Sequence, residues 1–451
     1  MRLFILSILF TAVSLNGYGK KFSGQEVKED LEFLVQSIRE YNAALDVYNP
    51  NFGEEVKAVI STVQGDSIAP LRYYGLVSRI CALSNEGHMN IGGWDDDFRK
   101  GIPDGSYKYM PFSVDIVSGE VYVRRDFTPD NHFQRGDEIL AINNTPAAEV
   151  LKELRSYIPT DGTITTHADM ILGFVFPFYY YFFIAQPESF TVQYKTTAGD
   201  TKSVTIEASN KNAQEDIYNT RYAELAKAKK EESIADYYEV KYDEQYTLLQ
   251  LKSFNYKLTE QYKVEAKELY EDIFTTIQEK KINTLIIDLR GNMGGRNEFA
   301  DDMVPFIMKE PGNDTYLKKT ISWKGKERTY KLPKKHKQAF AGKVYVLVNG
   351  RTFSSASMLA RYLKEYANAT VIGEETATRY EGFAAGSNES VHLPHSNLRI
   401  DIPRYHILFP VSQKQKTSNK GLLPDHQADN SITDIINEKD AVMEYVKGLV
   451  K

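Results

Sequence analysis

Apolar residues recur at helical spacing through the first part of the chain. Val27, Leu31, Phe33, Leu34, Ile38 and Leu45 stand among charged neighbours and predict an amphipathic helix over 24–45. Further helices are predicted from Glu54 to Val63 and from Pro70 to Leu83, before the polar turn SNEGH at 84–88. From Met110 to about Ala208 the pattern changes. Short strands FSVDIV, EVYVRRDF, EILAINN, SFTVQYKT and KSVTIEA are separated by turns at SGE and AGD, and one helix, Ala147 to Tyr157, interrupts them. After a stretch rich in Lys, Glu, Asp and Tyr the period changes again. The strands YTLLQLKSF (246–254), TLIIDL (284–289), KVYVLV (343–348) and ATVIGEE (369–375) alternate with helices, one from Thr259 to Lys281, one starting near Asn297 and one from Ser355 onward. That alternation predicts an α/β layer with largely parallel strands, whose ligands bind at the carboxyl ends.

These changes divide the chain into a helical region over 20–100, a β-rich domain over 101–208, a charged helical connector over 209–245 and an α/β domain over 246–451. At 451 residues several domains are expected. The first 19 residues read differently. One basic residue, an apolar stretch from Leu3 to Leu15, then Gly17 and Gly19 form the layout of a secretory signal peptide with cleavage near 17–20, so export to a periplasm or the medium is expected. The apolar run 171–184 is too short for a comfortable membrane span and contains Pro177, so it reads as a buried or cleft-lining segment. A net charge of −6 gives no reason to invoke nucleic acid, and Cys81, the one cysteine, excludes an intrachain disulfide and a cysteine-based metal site.

Two loops at strand ends carry candidate chemistry. LIIDLRGNMGGR (285–296) runs from a hydrophobic strand into three glycines, which let backbone N–H groups approach an anion. The Gly-Lys-Ser/Thr ending of a phosphate loop is absent, as is Gly-x-Gly-x-x-Gly, so oxyanion donors fit better. The second loop follows KVYVLV. Asn349 and Gly350 break the strand, and Ser355 opens a helix with Met358, Leu359, Leu363 and Tyr366 on one face. A helix N-terminus favours developing negative charge, as acyl transfer requires, although Ser354, Ser355 and Ser357 taken alone read as capping and packing residues.

DLRGNMGG, the segment around SSAS, VIGEET and GLLPD (421–425) occur together in an order that resembles the tail-specific, or carboxy-terminal processing, serine proteases. The likeness runs from about residue 24 to 440. It implies a crotonase-like α/β catalytic domain beside a PDZ-like module, acting on polypeptides with extended C-terminal tails; no cofactor is expected, and no metal, because no paired histidines stand at ligand spacing on a predicted helix. QRGDEILAINN (134–144) separately resembles the Gly-Asp-x-Ile-Leu-x-Ile-Asn segment of PDZ domains, which add a peptide to a sheet edge.

One design in that family pairs the serine with a downstream lysine. No lysine occurs here between Lys364 and Lys414, and Arg379, at the nearest matching position, cannot be a general base. The other design resembles the tricorn core protease, whose basic histidine closes a Leu-x-Asp-Gly-His-like string; LSNEGH ends in His88. The resemblance implies Ser355 as nucleophile, His88 as general base, and backbone N–H groups of Gly295 and Ala356 as oxyanion donors, with Gly294, Ser418, Glu374 and Arg379 in support. Three positions depart from the pattern: Gly87 and Ser418 stand where a serine and a glutamate are usual, and Met293 replaces a loop glycine. The residue orienting His88 stays open among Glu86, Glu374 and Glu375. The alternative function is a catalytically degenerate protein of the same fold that binds peptides or apolar ligands.

Overall fold

The computed structural model describes residues 21–92, 107–227, 232–309, 314–410 and 419–450. The signal-like segment and Ser418 lie outside the described residues. In the N-terminal region helices Gly24–Tyr41, Phe52–Ser61 and Pro70–Leu83 pack on one another. The first is fixed by a capping box in which Ser23 and Glu26 satisfy each other's backbone N–H groups. Its apolar face does not close its own core. Leu393, Leu398, Ile400 and Ile402, from far along the chain, complete the cluster around Val27, Leu31, Tyr73 and Val77. Buried Asp30 strengthens this tie by accepting hydrogen bonds from Tyr73 Oη and from the backbone N–H groups of His395 and Ser396.

The β-rich region is an antiparallel sheet ordered Phe112–Val117, Glu120–Asp126, Glu138–Ile142, Ser189–Lys195, Thr201–Glu207. Helices Ala147–Arg155 and Thr165–Phe183 supply much of its core. The second helix absorbs most of the apolar run 171–184 and carries Pro177 inside it. Among the described residues no helix is long and apolar enough to cross a membrane.

The main sheet of the C-terminal region runs His426–Gln427, Thr370–Gly373, Lys343–Val348, Thr284–Asp288, Thr247–Leu251, Tyr238–Tyr242. All pairings are parallel except at the last edge. That edge strand comes from the charged stretch read as connector, because Val240 and its neighbours pair with Thr247–Leu251 across a short turn. The inner strands are buried on both faces, which is why they read as continuous apolar runs. Their register places Asp288, Val348 and Gly373 at one end of the sheet, where the loops emerge. The helix expected over 259–281 is broken into Lys257–Glu260 and Ala266–Glu279.

A third sheet had no counterpart in the pattern reading. Gly382–His392 and Arg399–Leu408 form a long hairpin that also pairs with Tyr316–Ser322 and, through Asn90–Ile91, with the N-terminal region.

Candidate active site

The serine loop is assembled almost entirely by backbone and short polar side chains. Asn349 Oδ1 accepts from the N–H groups of Gly291 and Arg351, each at 3.1 Å, so one side chain ties the two strand-end loops together. Thr352 Oγ1 donates to Leu289 O, and Phe353 N donates to Asn292 O at 3.0 Å. Asn292 in turn braces the glycine loop through Gly294 N and Leu251 O. Ser354 is held at φ 54°, ψ −126°, a strained conformation for a side-chain-bearing residue. Its N–H is fixed by Thr378 Oγ1 at 2.7 Å.

Ser355 is fully buried and begins the helix Ser355–Ala367. It does not cap that helix. Its Oγ donates to Gly295 O at 3.3 Å, while Ser357 Oγ donates to Thr352 O. Ala356 N donates to Phe353 O at 3.0 Å. The glycines are required sterically: a Cβ on Gly295 (φ 137°) would stand 2.0 Å from Phe254 O, and one on Gly294 (φ 83°) 2.8 Å from Phe353 O. Met293, the departure in this loop, points outward and is 40% exposed.

His88 comes from the turn after helix Pro70–Leu83 and lies against the serine loop. Its ring stacks on Phe353, two residues before Ser355, with centroids 4.3 Å apart, and on Phe383 at 5.3 Å. Neither ring nitrogen has a hydrogen-bond partner among the described residues. Burial pushes the imidazole from its usual 6.5 down to about 4, so it is neutral at physiological pH. A second histidine, His167, stacks on Phe353 at 4.7 Å and donates from Nδ1 to Gly350 O. Its sequence context carried no motif, so only the fold brings it here.

Of the three acids considered for orienting His88, Glu86 is the one in reach, with Oε1 3.5 Å from His88 Nδ1. Glu375 instead accepts from Gly421 N at 2.8 Å. Glu374 lines a cleft whose burial, and secondarily Asp429, raises its carboxyl. Sequence reasoning missed Asp161, which is fully buried in the loop between helices Ala147–Arg155 and Thr165–Phe183. Its two oxygens accept from Gly87 N at 2.6 Å and Arg379 N at 2.9 Å. Arg379, also buried, donates to Asn85 O and Asn419 Oδ1, approaches Glu86 Oε2 at 3.8 Å and lies 3.6 Å over the Tyr48 ring. The position that holds lysine in the other catalytic design thus holds a fixed counter-ion. Donor atoms of Glu86, His88 and Asp161 lie within 4.8 Å of one another.

A cleft of about 710 Å³ lies beside this centre. It runs between the Asp115–Gly119 turn, helix Thr165–Phe183 and the strand-end residues Asn349–Arg351, and neither Ser355 nor His88 lines it.

A buried serine at a parallel-sheet strand end, under a glycine loop and next to a histidine, is the layout of a serine-type peptidase, and the comparisons agree. Residues 245–428 match the model of peptidase family S41, which bears out the resemblance to the tail-specific proteases. Among solved structures, mature CPAF is similar at 13% identity over 95% of this chain and 97% of its own, with a TM-score of 0.63. Its complex with lactacystin gives 0.64. A putative peptidase from Parabacteroides merdae shares 15% identity over 95% and 96% of the two chains, with a TM-score of 0.48. The likeness to CPAF is one of fold, and it extends through the helical and β-rich regions as well as the matched domain. No curated protein matches the sequence.

Proposed function

We propose that the chain is an exported serine endopeptidase that hydrolyses peptide bonds in the C-terminal tails of polypeptides, with Ser355 as nucleophile and His88 as general base. The observation that carries this reading is the stacking of a neutral His88 on Phe353, two residues from Ser355. A neutral imidazole accepts the serine proton as the Oγ–carbon bond forms, and afterwards returns it to the leaving amine. Negative charge on the carbonyl oxygen falls beside the N-terminus of helix Ser355–Ala367, where Gly295 N and Ala356 N would donate.

The present arrangement is a resting one. Ser355 Oγ is engaged by Gly295 O and Ala356 N by Phe353 O, so catalysis requires the serine to leave Gly295 and turn toward His88. The same fact favours the second reading, a binding protein that has lost catalysis and uses the 710 Å³ cleft. Against it, His88 does not point into solvent. Fluorophosphonate labelling across pH 6 to 9 separates the two. The peptidase reading expects labelling that Ser355→Ala abolishes and His88→Ala greatly slows; no Ser355-dependent adduct anywhere in that range leaves the binding protein.

A further inference from the structure

The strongest unexplained feature is the acid pair behind His88. Glu86 is 1% exposed and Asp161 0%, and burying two carboxylates side by side without compensation is costly. Each comes from a different region: Glu86 from the turn that carries His88, Asp161 from the β-rich domain, and Arg379, whose guanidinium donates to Asn85 O and whose backbone N–H donates to the Asp161 carboxylate, from the C-terminal domain. Arg379 supplies one positive charge to two acids. The remaining charge has to be neutralised.

We propose that Asp161 is a positioning residue for His88, acting through Glu86, and that the two carboxyls share a single proton carried by Glu86. The pair then balances: Arg379 is positive, Asp161 negative, and protonated Glu86 neutral. Asp161 spends both oxygens on the N–H groups of Gly87 and Arg379 and in addition takes the Glu86 proton, so it holds the loop from 85 to 88 at two points, Gly87 and Glu86, and ties it to Arg379. Glu86 Oε2 accepts from Ala384 N at 2.7 Å, which leaves Oε1, otherwise without a hydrogen-bond partner, between Asp161 and His88. Burial and the adjacent Asp161 charge both hold the Glu86 carboxyl well above its ordinary range, while Arg379 keeps Asp161 ionised. Around the pair stand Tyr48, linked to His406 at 2.7 Å, Glu381, which takes Asn419 N, and His167 near Asp161. A divalent cation could occupy the same spacing. With Arg379 counted, a cation and two ionised carboxylates would leave the buried cluster one positive charge in excess, whereas the shared proton leaves none.

The inference rests on the peptidase reading and is tested in the full chain by the rate of Ser355-dependent fluorophosphonate labelling as a function of pH. Glu86→Gln keeps a donor toward Asp161 and should label within about threefold of the wild type with an unmoved acid limb, because a neutral group replaces a neutral group. Asp161→Asn can satisfy only one of the two N–H groups and should label at least tenfold more slowly. Glu86→Ala, which removes the bridge, should resemble Asp161→Asn. A tenfold loss or a shifted acid limb in Glu86→Gln would show that residue 86 acts as a carboxylate and overturns the shared proton, and unchanged labelling in Asp161→Asn overturns the positioning role. Loss of labelling in EDTA that zinc or calcium restores would put a cation in place of the proton and also overturn it. A wild type that never labels removes the peptidase reading and this inference together; a wild type that labels regardless of Asp161 removes only the inference.

Discussion

The two halves of the candidate site are built on different principles. The serine half is local. Its parts come from the ends of neighbouring strands of one sheet, and they are fixed by backbone hydrogen bonds, by Asn349 and Asn292, and by glycines packed against Phe254 and Phe353. The histidine half is assembled from far-separated segments, 85–88, 161 and 379–384, through buried charges and stacked rings. The first half can be laid down as soon as the sheet forms. The second exists only when all three regions have docked, so damage to it should be read through distant residues.

The comparison is tested most severely by the reactive groups themselves. Ser355→Ala or His88→Ala should each lower peptide hydrolysis by ~10⁴-fold or more, since catalytic units fail as a unit, with the melting temperature of Ser355→Ala near that of the wild type. A His88→Ala enzyme with full activity would detach the histidine half from catalysis. Next is the local half. Gly295→Ala would place a Cβ against Phe254 O at a positive φ, and should cost about 3 kcal/mol or more in urea unfolding. A neutral effect there would mean the loop is not held as described.

Arg379→Lys probes the assembled half. A lysine cannot reproduce the bonds to Asn85 O and Asn419 Oδ1 together with the stacking on Tyr48, so a loss of about 2–4 kcal/mol is expected. Placing that lysine in a His88→Ala background should not restore hydrolysis. Recovery would show that the serine–lysine design is still accessible.

The smallest effect is on acid stability. His88 and His406 are each lowered by burial to about 4, so between pH 6.5 and 4 the unfolded chain binds more protons than the folded one. Stability contributed by these neutral rings is complete above pH 6.5 and lost as pH falls through about 4. Glu86, whose raised carboxyl binds its proton in the folded state, opposes part of that loss. The melting temperature should therefore fall by a few degrees, about 4–8 °C at most, from pH 7 to 4.5, and His406→Gln should flatten the fall. A midpoint that rises over that range contradicts the burial of these rings.

Many single elements of the fold were legible. KVYVLV and FSVDIV match their observed strands residue for residue, and helix Pro70–Leu83 has the bounds its apolar period predicts. Such elements bury a continuous or periodic face, and that face leaves its mark in the chain. The hairpin Gly382–His392 with Arg399–Leu408 left none, because its burial pattern runs from fully buried to exposed along a single strand and serves two different cores.

The sequence by itself determined the parallel sheet, the glycine loop, the serine at a helix start and the absence of a dyad lysine, since each depends on residue type within one short segment. Tertiary structure alone decided that Arg379 is a counter-ion, that Asp161 reaches the turn bearing His88, and that Ser355 rests on Gly295 rather than on a histidine. Those outcomes depend on which buried charges and rings meet once separate regions pack, and no single segment encodes that meeting.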